Sequence, residues 1–199
     1  MAPNAPKVAL PMLSQSCVKT IVPELDGTDH NHLDEAEGWL GLSLWRDALE
    51  SIAHVSEQNR EHPDVLCCQS RALAMGEEWE KAAEISRRLC QLVPTSFAPW
   101  IRICFSLFKL DRIGEAKQIL STVAPRFPKE PTLRWYLAIF AWGQGNMDEA
   151  KIWIRRAVAL TRGPRLKALA RDQPEFYAMW KKLEAEDKAA RRRPRKIHT

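Results

Sequence analysis

Apolar positions along this chain follow a helical spacing, and that spacing itself recurs at a much longer interval. Ala48, Ala82, Ala116 and Ala150 lie 34 residues apart, in the frames WRDALESI, WEKAAEIS, IGEAKQIL and MDEAKIWI. Three residues before each stands a large apolar side chain: Trp45, Trp79, Ile113 and Met147. Four and seven residues after each come Ile52 and Val55, Ser86 and Leu89, Leu120 and Val123, Ile154 and Ala157. Spacings of i, i+4 and i+7 place these side chains on one stripe of a helix, its packing face. Counting back twelve residues gives Ala36, Ser70, Cys104 and Ala138, all small, and counting back nine gives Trp39, Leu73, Leu107 and Ala141. Each unit therefore predicts two helices and a tight turn. Gly76, Asp111 and Gly145 fall between paired helices, and Pro94, Pro128 and Pro131 fall between units, where helices must stop. Antiparallel helices cross closely only where both present small side chains, which explains why alanine faces Ala, Ser or Cys.

Composition narrows the class without altering this picture. At 199 residues, 45% apolar and 28% charged, the chain suits a soluble globular domain with its own core. Cys17, Cys67, Cys68, Cys90 and Cys104 are an odd set with no CxxC pair, poor material for a disulfide framework or zinc site, so a reducing cytoplasmic setting is expected. Pro11 interrupts the apolar stretch after Lys7 before it reaches signal-peptide length, and the run from Leu137 to Trp142 is far too short for a membrane span. The net charge of +5 sits entirely in residues 181–199, with eight Lys or Arg against three acids; residues 1–180 carry 22 of each sign. A neutral body argues against a broad nucleic-acid-binding face.

A 34-residue helix-turn-helix with small eighth and twentieth residues and a closing proline resembles the tetratricopeptide repeat. The third unit, SFAPWIRICFSLFKLDRIGEAKQILSTVAPRFP, matches best, and RLKALARDQPEFYAMWKKL resembles the capping helix that seals such arrays. The chain is also similar to short bacterial tetratricopeptide proteins of unassigned role. The resemblance implies an all-α, right-handed α-α superhelix of four helix-turn-helix repeats plus a C-terminal capping helix. The repeats would span 29–62, 63–96, 97–130 and 131–162, with an irregular N-terminal extension at 1–28, a cap at 163–187 and a basic disordered tail at 188–199. In the first unit His32 and Glu35 occupy places that are usually apolar.

The resemblance further implies which residues line the concave surface. These include Leu40, Arg71, Met75, Ile101, Phe105, Phe108, Lys109, Trp135, Ile139 and Trp142, an apolar and aromatic set. An open patch of that kind marks an interaction site, so the expected role is a non-enzymatic adaptor or chaperone-like module holding an apolar peptide or amphipathic helix. The extension VALPMLSQSCVKTIVP or the chain's other end can instead fill the groove itself. Repeats of this family that clamp chaperone C-termini use Lys and Asn; the corresponding places here are Leu33, Glu37, Cys68, Ala98 and Arg102, of which only Arg102 fits, so carboxylate capture is not expected.

Other candidate chemistry is thin. Asp29, His30, His32 and Glu35 cluster, but histidines at i and i+2 do not share a helix face, which favours a solvated N-cap region over a metal site. Adjacent Cys67 and Cys68 read as small buried residues. No phosphate loop, nucleophile elbow or HExxH is present, so no enzyme, cofactor or metal is expected. The tail, with Arg191, Arg192, Arg193, Arg195 and Lys196, gives the alternative reading of a tether to nucleic acid or an anionic membrane.

Overall fold

The computed structural model describes residues 24–160, together with 177, 178, 180–182 and 185. All eight α-helices within 24–160 belong to hairpins: α1 (Gly27–Gly41) with α2 (Trp45–Ala53), α3 (Pro63–Met75) with α4 (Trp79–Leu92), α5 (Ala98–Lys109) with α6 (Ile113–Val123), and α7 (Pro131–Gly143) with α8 (Met147–Leu160). No strand occurs among the described residues.

The chain divides into two compact units. In the first, which holds α1 to α6, each hairpin stacks on the next: α3 packs against both α1 and α2, and α5 packs against α4. The second holds α7, α8 and the described helical residues after 176.

The small residues sit where the spacing places them. Ala48, Ala82, Ala116 and Ala150 are each 0% exposed, as are Ala36, Ser70, Cys104 and Ala138 in the preceding helices. The rest of the core follows the same stripes, with Leu66, Leu89, Ile101, Leu107 and Leu120 fully buried in the first unit and Tyr136 and Phe140 in the second.

The turns repeat as strictly as the alanines. Among the described residues those with positive φ are Ser43, Glu77, Asp111 and Gly145, again 34 apart, at φ of 63°, 62°, 60° and 77°. One residue further on, the N–H groups of Leu44, Glu78, Arg112 and Asn146 donate to the carbonyls of Trp39, Leu73, Leu107 and Ala141 at 2.8–2.9 Å. That is the six-to-one hydrogen bond of a Schellman turn, which satisfies a carbonyl the helix end would otherwise orphan.

Gly76 lies between α3 and α4, where the spacing places it, and the left-handed residue of that turn is Glu77. Gly76 is needed for close approach, since a Cβ there would meet the Trp45 ring at 2.7 Å. One expectation is corrected here: Pro131 lies inside an element rather than between units, opening α7 at a position where a missing N–H leaves no helical bond unmade. The expected capping helix falls largely outside the described residues, although Tyr177, Ala178 and Trp180–Lys182 are helical. The tail at 188–199 and the extension up to residue 23 lie outside them too.

Candidate functional site

The ten residues expected on the inner face divide by accessibility. Leu40, Ile101, Phe105 and Phe108 in the first unit, and Trp135 and Ile139 in the second, are buried. Arg71, Met75, Lys109 and Trp142 are half-buried and present part of their surface. The aromatic residues expected as open anchors are thus mostly core residues, and named neighbours account for it. Phe105 packs edge-on to Trp79 with ring centroids 5.8 Å apart and lies 6.5 Å from the Phe108 ring, while Lys109 Nζ lies over both Trp79 and Phe105 at 5.5 and 5.7 Å. In the second unit Trp135 meets Trp180 edge-on at 6.3 Å, and Tyr177 closes on Trp180 at 5.3 Å. Trp79, absent from the sequence-derived set, forms part of the reachable surface; its place three residues before the regularly spaced alanine marks it only as a packing residue.

Charge on the α1/α3 face is internally matched. The Arg71 guanidinium binds both carboxylate oxygens of Glu37, with Nη1 to Oε2 at 2.6 Å. Burial works against the charge of Arg71, but the Glu37 carboxylate outweighs it and raises the guanidinium above its ordinary value. These partners are 34 residues apart, the same place in successive units, so opposite charges at one repeat place were the signal in the sequence.

Arg102 on α5 is different. It is 3% exposed, and its Nη1 donates to Ser70 Oγ at 2.7 Å. Both Nη1 and Nη2 lie 3.9 Å from Cys67 Sγ. Ser70 is itself engaged, donating to the Cys67 carbonyl at 3.0 Å.

The acidic and histidine cluster at the start of α1 is a structural joint. Asp26, rather than a member of that cluster, caps the helix by accepting from the N–H groups of Thr28 and Asp29 at 3.0 and 2.9 Å. Asp29 is buried, which corrects the expectation of a solvated cap. Its carboxylate accepts from the Ser56 hydroxyl at 2.5 Å, the Ser56 N–H at 2.8 Å and Asn59 Nδ2 at 2.6 Å. The Ser56 hydroxyl first, then its N–H and Asn59, hold this carboxyl below the ordinary aspartate range. No group of three or more His, Cys, Asp or Glu positioned to hold a metal occurs among the described residues. Cys67, Cys68, Cys90 and Cys104 are all buried, and burial pushes the Cys68 and Cys104 thiols strongly upward.

Helical hairpins throughout the described residues, with buried small residues where paired helices meet and a left-handed turn residue at every 34th place, make the tetratricopeptide-repeat fold. Solved structures confirm this at the level of architecture. The chain is similar to MamA 41-end from Desulfovibrio magneticus RS-1 (TM-score 0.62, 16% identity, covering 82% of this chain and 98% of that one). It is similar to a thermophilic TPR protein from Thermus thermophilus (0.62, 18%, 82% and 95%). It is also similar to the nearly identical TPR-like repeats of a putative kinesin light chain from Podosopora anserina (0.57, 16%, 85% and 100%). No family model matches the sequence. No curated protein matches it either.

Proposed function

We propose that this chain is a non-enzymatic protein-interaction module, an adaptor or chaperone-like protein, that takes an apolar peptide or an amphipathic helix on the inner faces of its first helices. The observation that carries the reading is the half-exposed group on the first unit, Met75, Trp79, Lys109 and Arg71, set on a core that already uses every small periodic residue. Met and Trp are adaptable, high-area contact residues, and an arginine beside them suits a mixed surface. The buried aromatics beneath act as a rigid floor rather than as contacts. In the second unit Trp142 is half-exposed on α7 as well.

The test is selection of a phage-displayed peptide library on the full chain, followed by affinity measurement for an enriched peptide. Met75→Glu and Lys109→Glu, both at half-exposed sites of the first unit, should weaken that peptide about tenfold or more while leaving the helical circular dichroism intact. Absence of any enriched peptide, or affinity unchanged in both variants, rejects the reading. Repeating the measurement without residues 1–28 asks whether the N-terminal extension competes for the face; equal affinity rules out autoinhibition.

The second reading rests on the tail, where the whole excess of positive charge resides. A tether through residues 188–199 predicts retention on heparin or anionic vesicles that falls steeply with salt and disappears on deleting the tail. Groove binding through apolar contacts should change little over the same salt range. No described helix is long and apolar enough to cross a membrane.

A further inference from the structure

Among the cysteines of the described residues, Cys67 is set apart by what surrounds it. It is 9% exposed, against 6% for Cys90 and 0% for both Cys68 and Cys104. On α3 it lies four residues before Arg71 and eight before Met75, so helical spacing puts it on the stripe that carries these two half-exposed side chains. The surface it shows therefore belongs to the reachable side of the helix.

Its sulfur also faces positive charge. Arg102 arrives from α5, 3% exposed, with Nη1 and Nη2 each 3.9 Å from Cys67 Sγ. Nη1 donates to Ser70 Oγ at 2.7 Å, whereas Nη2 meets no acceptor among the described residues other than that sulfur. A guanidinium is a permanent cation, and burial among neutral partners leaves it without a counter-anion. By losing its proton Cys67 becomes that counter-anion, and the thiolate is the nucleophilic form of cysteine. Arg71 adds a second cation on the same stripe, with its own fork tied to Glu37. For Cys68 and Cys104 burial dominates instead and pushes the thiols upward.

We propose that Cys67 is a modification site, a nucleophilic thiolate held by Arg102 that a hydroperoxide oxidises to the sulfenic acid. The sulfur attacks one peroxide oxygen, and an S–O bond forms as the O–O bond breaks. Sulfur loses two electrons and the peroxide gains them; the departing hydroxide takes the proton released by the thiol, leaving water. Hydrogen peroxide is little larger than water, which suits a sulfur with so small an opening. This chemistry is independent of whether the inner face takes a peptide.

The full chain carrying Cys17→Ser is exposed to hydrogen peroxide in the presence of dimedone, which traps sulfenic acid, and the adducts are mapped by mass spectrometry. Cys67 should carry the adduct, formed about tenfold or more faster than on Cys68, Cys90 or Cys104. Arg102→Gln removes the cation and keeps a donor, and should slow the Cys67 reaction about tenfold or more while the helical circular dichroism is retained. Should that variant lose its helical signal, Arg102→Lys takes its place. A single ammonium does not face the sulfur with two nitrogens, and the rate should fall severalfold. Absence of adduct on Cys67 in the native chain, adducts spread evenly over the four cysteines, or a Cys67 rate unchanged in the folded Arg102 variant each overturns the assignment. Adduct that forms only as the helical signal melts overturns it too, because it marks a packing residue uncovered by unfolding.

Discussion

Single residues in this protein carry strain and charge that the repeat pattern alone does not reveal. Glu77 and Ser43 adopt the left-handed conformation without being glycine, a state that disfavours side chains with a Cβ by about 1 kcal/mol. Glu77→Gly and Ser43→Gly are each expected to raise stability by about 0.5–1 kcal/mol, read from urea midpoints. Asp111→Gly should gain less, because aspartate tolerates that conformation better. Gly76→Ala should act in the opposite direction, losing about 1–3 kcal/mol as the Trp45 ring is forced aside. Asp29 gives a pH signature. Its carboxyl is held below the ordinary value in the folded chain, so its contribution is present above the unfolded aspartate value and fades as pH falls through the lower folded one. Asp29→Asn should therefore lower the urea midpoint at about pH 6, with the gap to the parent shrinking below about pH 4. An equal gap at both pH values would show that the hydrogen bonds, rather than the charge, account for the effect.

Among the elements, the helical hairpin is the unit of both folding and repetition. Its small crossing residues are the clearest handle: Ala116→Leu should overpack the contact of α6 with α5 and cost about 1–3 kcal/mol, visible as a lowered melting temperature. Cys104, the small residue of α5 in the same hairpin, and Cys68 on α3 are thiols whose burial disfavours the reactive thiolate. Alkylation followed by mass spectrometry should leave both unmodified in native conditions and label them on unfolding. Labelling of Cys104 at the native rate of an exposed thiol would contradict the packed hairpin. The hairpins were legible in the sequence because helix period, small residue and turn are all local features within 34 residues. What requires glycine at the second turn is less local, since the Trp45 ring that a Cβ at Gly76 would strike comes from 31 residues earlier.

For the molecule as a whole, fold and function are legible to different degrees. The tetratricopeptide-repeat architecture is common to proteins that share only 16–18% of their residues with this chain, which shows how little of the sequence the architecture consumes. Function depends on what the architecture leaves reachable, and half of that answer lies in side chains that meet across repeats. Deleting residues 188–199 should leave the thermal melt unchanged while removing any salt-sensitive retention on heparin; retention that survives deletion assigns the charge-dependent binding to the body instead. Local sequence was enough to specify the helical class, the four hairpins and the residues at their crossings, because backbone hydrogen bonding and helix amphipathicity are decided by near neighbours. Packing between elements settled the rest: Phe105 lies beneath Trp79, Trp135 is closed over by Trp180, Asp29 ties α1 to the turn after α2, and Arg102 is buried facing a thiol. Burial and charge pairing depend on which side chains arrive from other elements, and a repeat period assigns the places of those side chains without dictating how they fill the space between them.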